Sequence, residues 1–264
     1  MKPIILKKIL SCCLSVLFLS MSTGTSTGFC EEKALEENSP GGSELAELKD
    51  FSPRKYSEVA ELISAGQFRL AEKICKEKLL RDPADYVAMT QLGRVYWEKG
   101  KRRAAIKLFR KAVRIEPDYP ITHFYLGKAY ILEKKPKKGF AEFDVFQEKM
   151  NALVEMDEDL KDYYIYCLHY ICYVYATQKH YKEAMKICKK IIRLDPDNQR
   201  AHYNLAVCYY IYKHNRSRAY TELTKVIEID KATRMADRAK FYIDYMRRNP
   251  DSRTMSDFTF LEEY

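Results

Sequence analysis

Pro83 in LLRDP and Pro117 in RIEP stand 34 residues apart, and Pro196 in RLDP repeats the same ending. A fixed period of this size marks a chain assembled from stacked copies of one supersecondary unit. Laid out in frames of 34, the chain gives 52–85, 86–119 and 120–153; after an interruption of 11 residues, 165–198 and then 199–231 follow.

Small residues recur at two places in these frames. Gly93, Gly127, Cys172 and Ala206 form one column, and Ala71, Ala105, Gly139, Ala184 and Ala219 form another. Two antiparallel helices approach closely only where both carry small side chains, so each frame is expected to hold one helical hairpin. Tyr96, Tyr130, Tyr175 and Tyr209 recur one turn beyond the first column, where large rings fill the space between one hairpin and the next. The prolines lack an N–H and bar the preceding residue from helix, which separates successive units.

With Leu92 and Gly93, Tyr96, Ala105, Phe109, Ala112 and Pro117, the second frame resembles the tetratricopeptide repeat (TPR). The resemblance covers 52–248. It implies an all-α protein, an α-solenoid of about five TPR-like hairpins plus a C-terminal capping helix over 232–248. The segment ATRMADRAKFYIDYMRR, apolar at helical intervals and stopped at Asn249-Pro250, suits that cap. Lys55, Glu58 and Lys78 stand where apolar residues are usual, as in a capping repeat with a wet outer face. The third frame has Phe146 in place of a small residue and lacks the terminal proline. Its second helix, from about Lys137, is expected to run long, into VEMDEDLKDYY. The fifth frame needs one extra residue around KHNRSRA.

At the other end, Lys2, Lys7 and Lys8 precede an apolar run from Ile9 to Leu19 and a small polar stretch from Ser20 to Gly28. That order predicts a signal peptide over 1–30 and hence export to a periplasmic or secreted location. The run is shorter than the about 20 residues a bilayer span takes, so a membrane-anchored location, like a cytoplasmic one, is the alternative to export rather than the first reading. Residues 31–51 read as an acidic disordered linker, and 249–264 as a C-terminal tail. Positions 1–50 hold five basic and seven acidic residues of the chain's 46 and 37, leaving 41 against 30 from Phe51 onward, about +11. Such a body favours acidic partners and is compatible with an anionic membrane surface; a solvated, Lys-rich helical exterior explains the charge better than a nucleic-acid footprint.

The sequence offers no catalytic constellation, and no cofactor or metal is expected. Nine scattered glycines form no phosphate-binding cluster. In CLHYIC, Cys167 and His169 point about 160° apart on a helix and cannot share an ion. Cys75, Cys167, Cys172, Cys188 and Cys208 occupy positions that normally take buried small or apolar residues, so they read as core thiols. Pairing between neighbouring helices, for instance Cys188 with Cys208, is not assignable from sequence. Five thiols also sit awkwardly with export.

The resemblance further implies a concave groove lined by the first helix of each hairpin, at positions two, five, nine and twelve. These are Val87, Thr90, Arg94 and Trp97; Ile121, Phe124, Lys128 and Ile131; Tyr166, His169 and Tyr173; and Arg200, Tyr203, Val207 and Tyr210. Thr90, Arg94, Trp97, Phe124, Lys128, Tyr166, Tyr173, Arg200 and Tyr203 are the binding candidates. Rings supply contact area at little entropic cost, and the cations suit an acidic group. A carboxylate clamp of Lys and Asn residues, known from one TPR subfamily, is disfavoured by Phe124 and Tyr125. The expected function is a non-catalytic, exported adaptor that holds an acidic or apolar extended segment of a protein or peptide. The alternatives are a cytoplasmic chaperone for secretion substrates and a basic scaffold on anionic lipid or nucleic acid.

Overall fold

A computed structural model describes residues 57–153 and 156–249. Among these residues the chain forms eleven α-helices and no strand: α1 (Ser57–Ser64), α2 (Phe68–Arg81), α3 (Tyr86–Glu98), α4 (Arg102–Ile115), α5 (Pro120–Leu132), α6 (Pro136–Ala152), α7 (Glu158–Thr177), α8 (Tyr181–Leu194), α9 (Gln199–Ile211), α10 (Arg216–Ile229) and α11 (Arg234–Arg248). Consecutive helices pack as five hairpins, and α11 covers the last of them. Residues 1–56 and 250–264, with the signal, the linker and the tail read there, lie outside the described residues.

Local chemistry sets the helix starts. The side chains of Asp85, Asp157, Asn198 and Thr233 accept the N–H of Ala88, Leu160, Ala201 and Ala236, capping α3, α7, α9 and α11. Pro120 and Pro136 stand in the first turns of α5 and α6, where a missing N–H costs nothing. Within each of the first four hairpins a three-residue turn puts its middle residue at positive φ: Gly66, Gly100, Lys134 and Lys179. The fifth turn has four residues, with His214 at φ 48°. The extra residue around KHNRSRA is thus absorbed between α9 and α10. Asn215, first residue of a formal glycosylation triplet, caps α10 through the N–H of Arg218.

The glycines of the first column mark true close approaches. A Cβ on Gly93 would stand 2.5 Å from the Phe109 ring, and one on Gly127 would stand 2.7 Å from Phe143 and 3.1 Å from the carbonyl of Gly139. In the fourth hairpin Cys172 stands in the place of the glycine, opposite Cys188.

The second helix of the third hairpin does run long, 17 residues against 14 in the others, but it does not enter the acidic stretch. Helix α6 ends at Ala152, and the acidic stretch instead begins α7, seven residues before the frame start at Ile165. Asp157 caps that end, and Glu158 and Asp159 lie in its first turn, where a helix dipole favours negative charge. The added turns of α7 explain Phe146: its ring packs against Phe124 and Tyr164, 5.4 and 5.6 Å between centroids.

Buried side chains form one extended cluster from α5 to α11 and two small ones nearer the N-terminus, around Cys75 and around Phe109. In α2 only Ala71 and Cys75 are buried, and Leu80 is 82% exposed, which suits an outer capping hairpin. Histidines tie two joints between hairpins. His123 lies 2.7 Å from Glu142 through Nδ1, and its Nε2 is 2.9 Å from the carbonyl of Pro117. His202 repeats the arrangement with Glu222 and Pro196.

Candidate functional site

Arg94, Trp97 and Glu98 lie on the last two turns of α3, facing Phe124, Tyr125 and Lys128 of α5. With Ile63 of α1, Phe109 of α4 and Tyr166 of α7 they enclose a pocket of about 130 Å³. First helices of four successive hairpins therefore contribute to one site. Phe109 reaches it from a second helix because Gly93 leaves room for its ring.

Phe109 and Phe124 are 1% exposed and form the floor. Arg94, Trp97 and Lys128 are half-buried, Glu98 is exposed, and Tyr166 is 48% exposed at the rim. The cations are held in place. The Arg94 guanidinium donates to Gln91 Oε1 at 2.8 Å and lies 4.6 Å over the Tyr125 ring. Lys128 Nζ lies 4.8 Å over Tyr170, and Arg102 lies 5.7 Å over Trp97. Burial pushes the Tyr125 hydroxyl above its ordinary pKa, with Arg94 opposing, so it remains a neutral donor and acceptor.

Five of the nine binding candidates, Arg94, Trp97, Phe124, Lys128 and Tyr166, meet in this pocket. The other four do not. Thr90 is fully buried; its hydroxyl lies 2.6 Å from that of Thr122, so it joins α3 to α5 and presents nothing to a ligand. Tyr203 is fully buried beneath α11, with Arg238 5.5 Å over its ring. Tyr173 and Arg200 are half-buried and lie outside the pocket lining. His169, on the same groove register, is buried, and burial and Arg200 lower its pKa to about 4.

Ile63, Glu98, Phe109 and Tyr125 were not among the candidates. Tyr125 and Glu98 each directly follow a groove position, and the small size of Gly93 was the one available sign that Phe109 would reach through. Among the described residues no group of three His, Cys, Asp or Glu side chains could hold a metal ion. No described helix is long and apolar enough to cross a membrane.

A family profile described as TPR repeat matches residues 93–132, and one described as tetratricopeptide repeat matches 175–236. The chain is a tetratricopeptide-repeat protein. The TPR array is similar to solved all-helical solenoids. One is YrrB, a TPR protein with an unusual peptide-binding site, at 23% identity over 69% of this chain and 88% of YrrB, with a TM-score of 0.50. A crystal structure of MamA protein matches at 20% identity over 67% of this chain and 91% of its own, with a TM-score of 0.51. MamA from Desulfovibrio magneticus RS-1, from residue 41 to its end, matches at 17% identity over 67% and 93%, with a TM-score of 0.52. No curated protein matches the chain in sequence. At these identities the structural likeness establishes the TPR fold, and the repeats mark a protein-interaction adaptor or scaffold.

Proposed function

We propose that this TPR protein is a non-catalytic adaptor that captures an extended segment of a partner protein, seating an apolar or aromatic side chain between Trp97 and Tyr166. The observation that carries this reading is the convergence of two immobilised cations and five aromatic rings on one small pocket. At about 130 Å³ it is smaller than the roughly 300–1,000 Å³ of small-molecule sites, and it suits one anchoring side chain of a longer ligand. Arg94 and Lys128 favour a neighbouring Asp or Glu on that ligand, with Glu98 selecting against a second one at the rim. YrrB, whose structure shows a peptide-binding site on a similar array, supports the class of ligand.

The test is selection from a random 12-residue peptide library on the full chain, followed by titration of the enriched peptides. Enrichment of an aromatic or aliphatic residue beside an acidic one is expected. Trp97→Ala should weaken those peptides at least tenfold with helicity unchanged, since anchors of this kind contribute upwards of about 1.4 kcal/mol. Peptides that bind the Trp97→Ala protein equally well would sink the reading.

We place this adaptor in the cell envelope or outside the cell. The support is the charge and apolar order of residues 1–30. The intact mass of the protein from fractionated cells tests it: a loss of about 2.5 to 3.5 kDa in an envelope or medium fraction is expected for signal removal. A full-length cytosolic chain would favour the chaperone alternative.

A further inference from the structure

All five described cysteines are thiols and all are fully buried, but they are not equivalent. Cys172 on α7 and Cys188 on α8 bring their sulfurs to 3.2 Å. Their positions explain the approach. Sixteen residues separate Gly93 from Phe109 and Gly127 from Phe143, and in both hairpins the ring at that spacing lies directly against the glycine of the facing helix. Cys172 and Cys188 have the same spacing, so the repeat itself holds two thiols face to face where other hairpins hold a glycine and a ring. Cys172 also lies 3.6 Å from the carbonyl of Ala184, to which its S–H can donate, leaving its sulfur to accept from Cys188.

We propose that Cys172 and Cys188 are a disulfide-forming pair, oxidised as the fourth hairpin folds and locking α7 to α8. A disulfide needs its sulfurs at about 2.05 Å, so closing the bond draws them together by little more than 1 Å. The oxidant is a disulfide RSSR, either glutathione disulfide or an exchange protein. One cysteine thiolate attacks a sulfur of RSSR and releases RS⁻, which takes up a proton. The second thiolate then attacks the resulting mixed disulfide at the protein sulfur and releases the second RS⁻. The protein loses two S–H hydrogens, and the oxidant becomes two RSH.

Timing follows from burial. Both sulfurs are inaccessible once the hairpin has closed. The bond with Cys172 and the surrounding burial hold the Cys188 thiol well above its ordinary pKa, which keeps it unreactive in the folded state. Cys208 is buried nearby with its pKa also raised by burial, and among the described residues it is the competitor for the pairing.

The experiment is refolding of the full chain in a glutathione and glutathione disulfide mixture, in parallel with refolding under reductant. An acid quench, denaturing alkylation and peptide mapping follow. A peptide linking Cys172 to Cys188 is expected, with Cys75, Cys167 and Cys208 alkylated, and with a Tm roughly 6–12 °C above the reduced form for a loop of this length. Cys208→Ser should keep the link and the shift; the Cys172→Ser/Cys188→Ser double variant should fold and show neither. Reduced, folded protein exposed to the same mixture should stay unoxidised far longer than the refolding chain. Alkylation of both residues after oxidative refolding would overturn the proposal. So would a dominant link to Cys208, or an oxidised chain that no longer folds.

Discussion

From α5 to α11 most buried side chains of this TPR protein join into a single cluster, whereas α1 to α4, with Leu126 and Ala129 on one face of α5, rely on two small ones centred on Cys75 and Phe109. The pocket lies where these clusters meet. Its floor takes Phe124 from the large cluster and Phe109 from a small one, and Ile63 and Tyr125 also pack against them. Local stability follows the number of apolar contacts that must be broken together, so the two sides of the pocket should open at different free energies. A ligand there would rest on a firm wall at α5 and α7 and on a more yielding one at α1 and α3.

The largest test of this contrast compares Phe146→Ala with Phe109→Ala. Both rings are fully buried, and each truncation should cost about 3–5 kcal/mol locally. Amide exchange separates them: Phe146→Ala should reduce protection from α5 through α11, while Phe109→Ala should leave α8 to α10 nearly unchanged. Equal spreading from both sites would erase the distinction between the two regions.

His169 offers a smaller and pH-dependent probe of the large cluster. Its neutral form is favoured in the folded chain, with a pKa lowered to about 4 by burial and then by Arg200. The unfolded chain binds that proton near pH 6.5, so stability is intact above about 6.5 and declines as pH falls toward 4, by on the order of 3 kcal/mol. Urea melts of the wild type and of His169→Leu across this window should diverge from each other. Parallel curves would show that His169 is solvated.

Thr90 and Thr122 probe the boundary itself, since their hydroxyls meet between α3 and α5. Either single change to Val leaves a buried hydroxyl without that partner and should cost about 1 kcal/mol, while the double change should be nearly neutral. A double-mutant cycle checks this, and additive losses would mean that the two first helices are not coupled there.

The array was readable because its rule is steric. Gly93 against Phe109 and Gly127 against Phe143 are contacts that only small residues permit, and they repeat with the chain. Groove membership was less readable, since it depends on how closely successive first helices approach. Thr90 carries a groove position, yet α5 comes near enough for Thr122 to cover it. Tyr203 fails for a different reason: α11 packs over the fifth hairpin, and Arg238 and Tyr242 seal the ring. The acidic stretch before Tyr163 fits either helix end by periodicity, and the cap at Asp157 decides for the start of α7. The face-to-face cysteines were not assignable from the sequence, because only the structure shows that positions 16 residues apart, such as Gly93 and Phe109, touch.

The turns inside the hairpins bear on how such a sequence can drift. All five need one residue at positive φ, and only two meet that need with glycine, at Gly66 and Gly100. Lys134, Lys179 and His214 hold the same backbone at a strain of roughly 1–2 kcal/mol each. Descendants of this chain could therefore gain stability by single replacements to Gly at three sites outside the pocket lining. That reserve gives substitutions around Trp97 and Tyr166 room to change the ligand before the array falls apart.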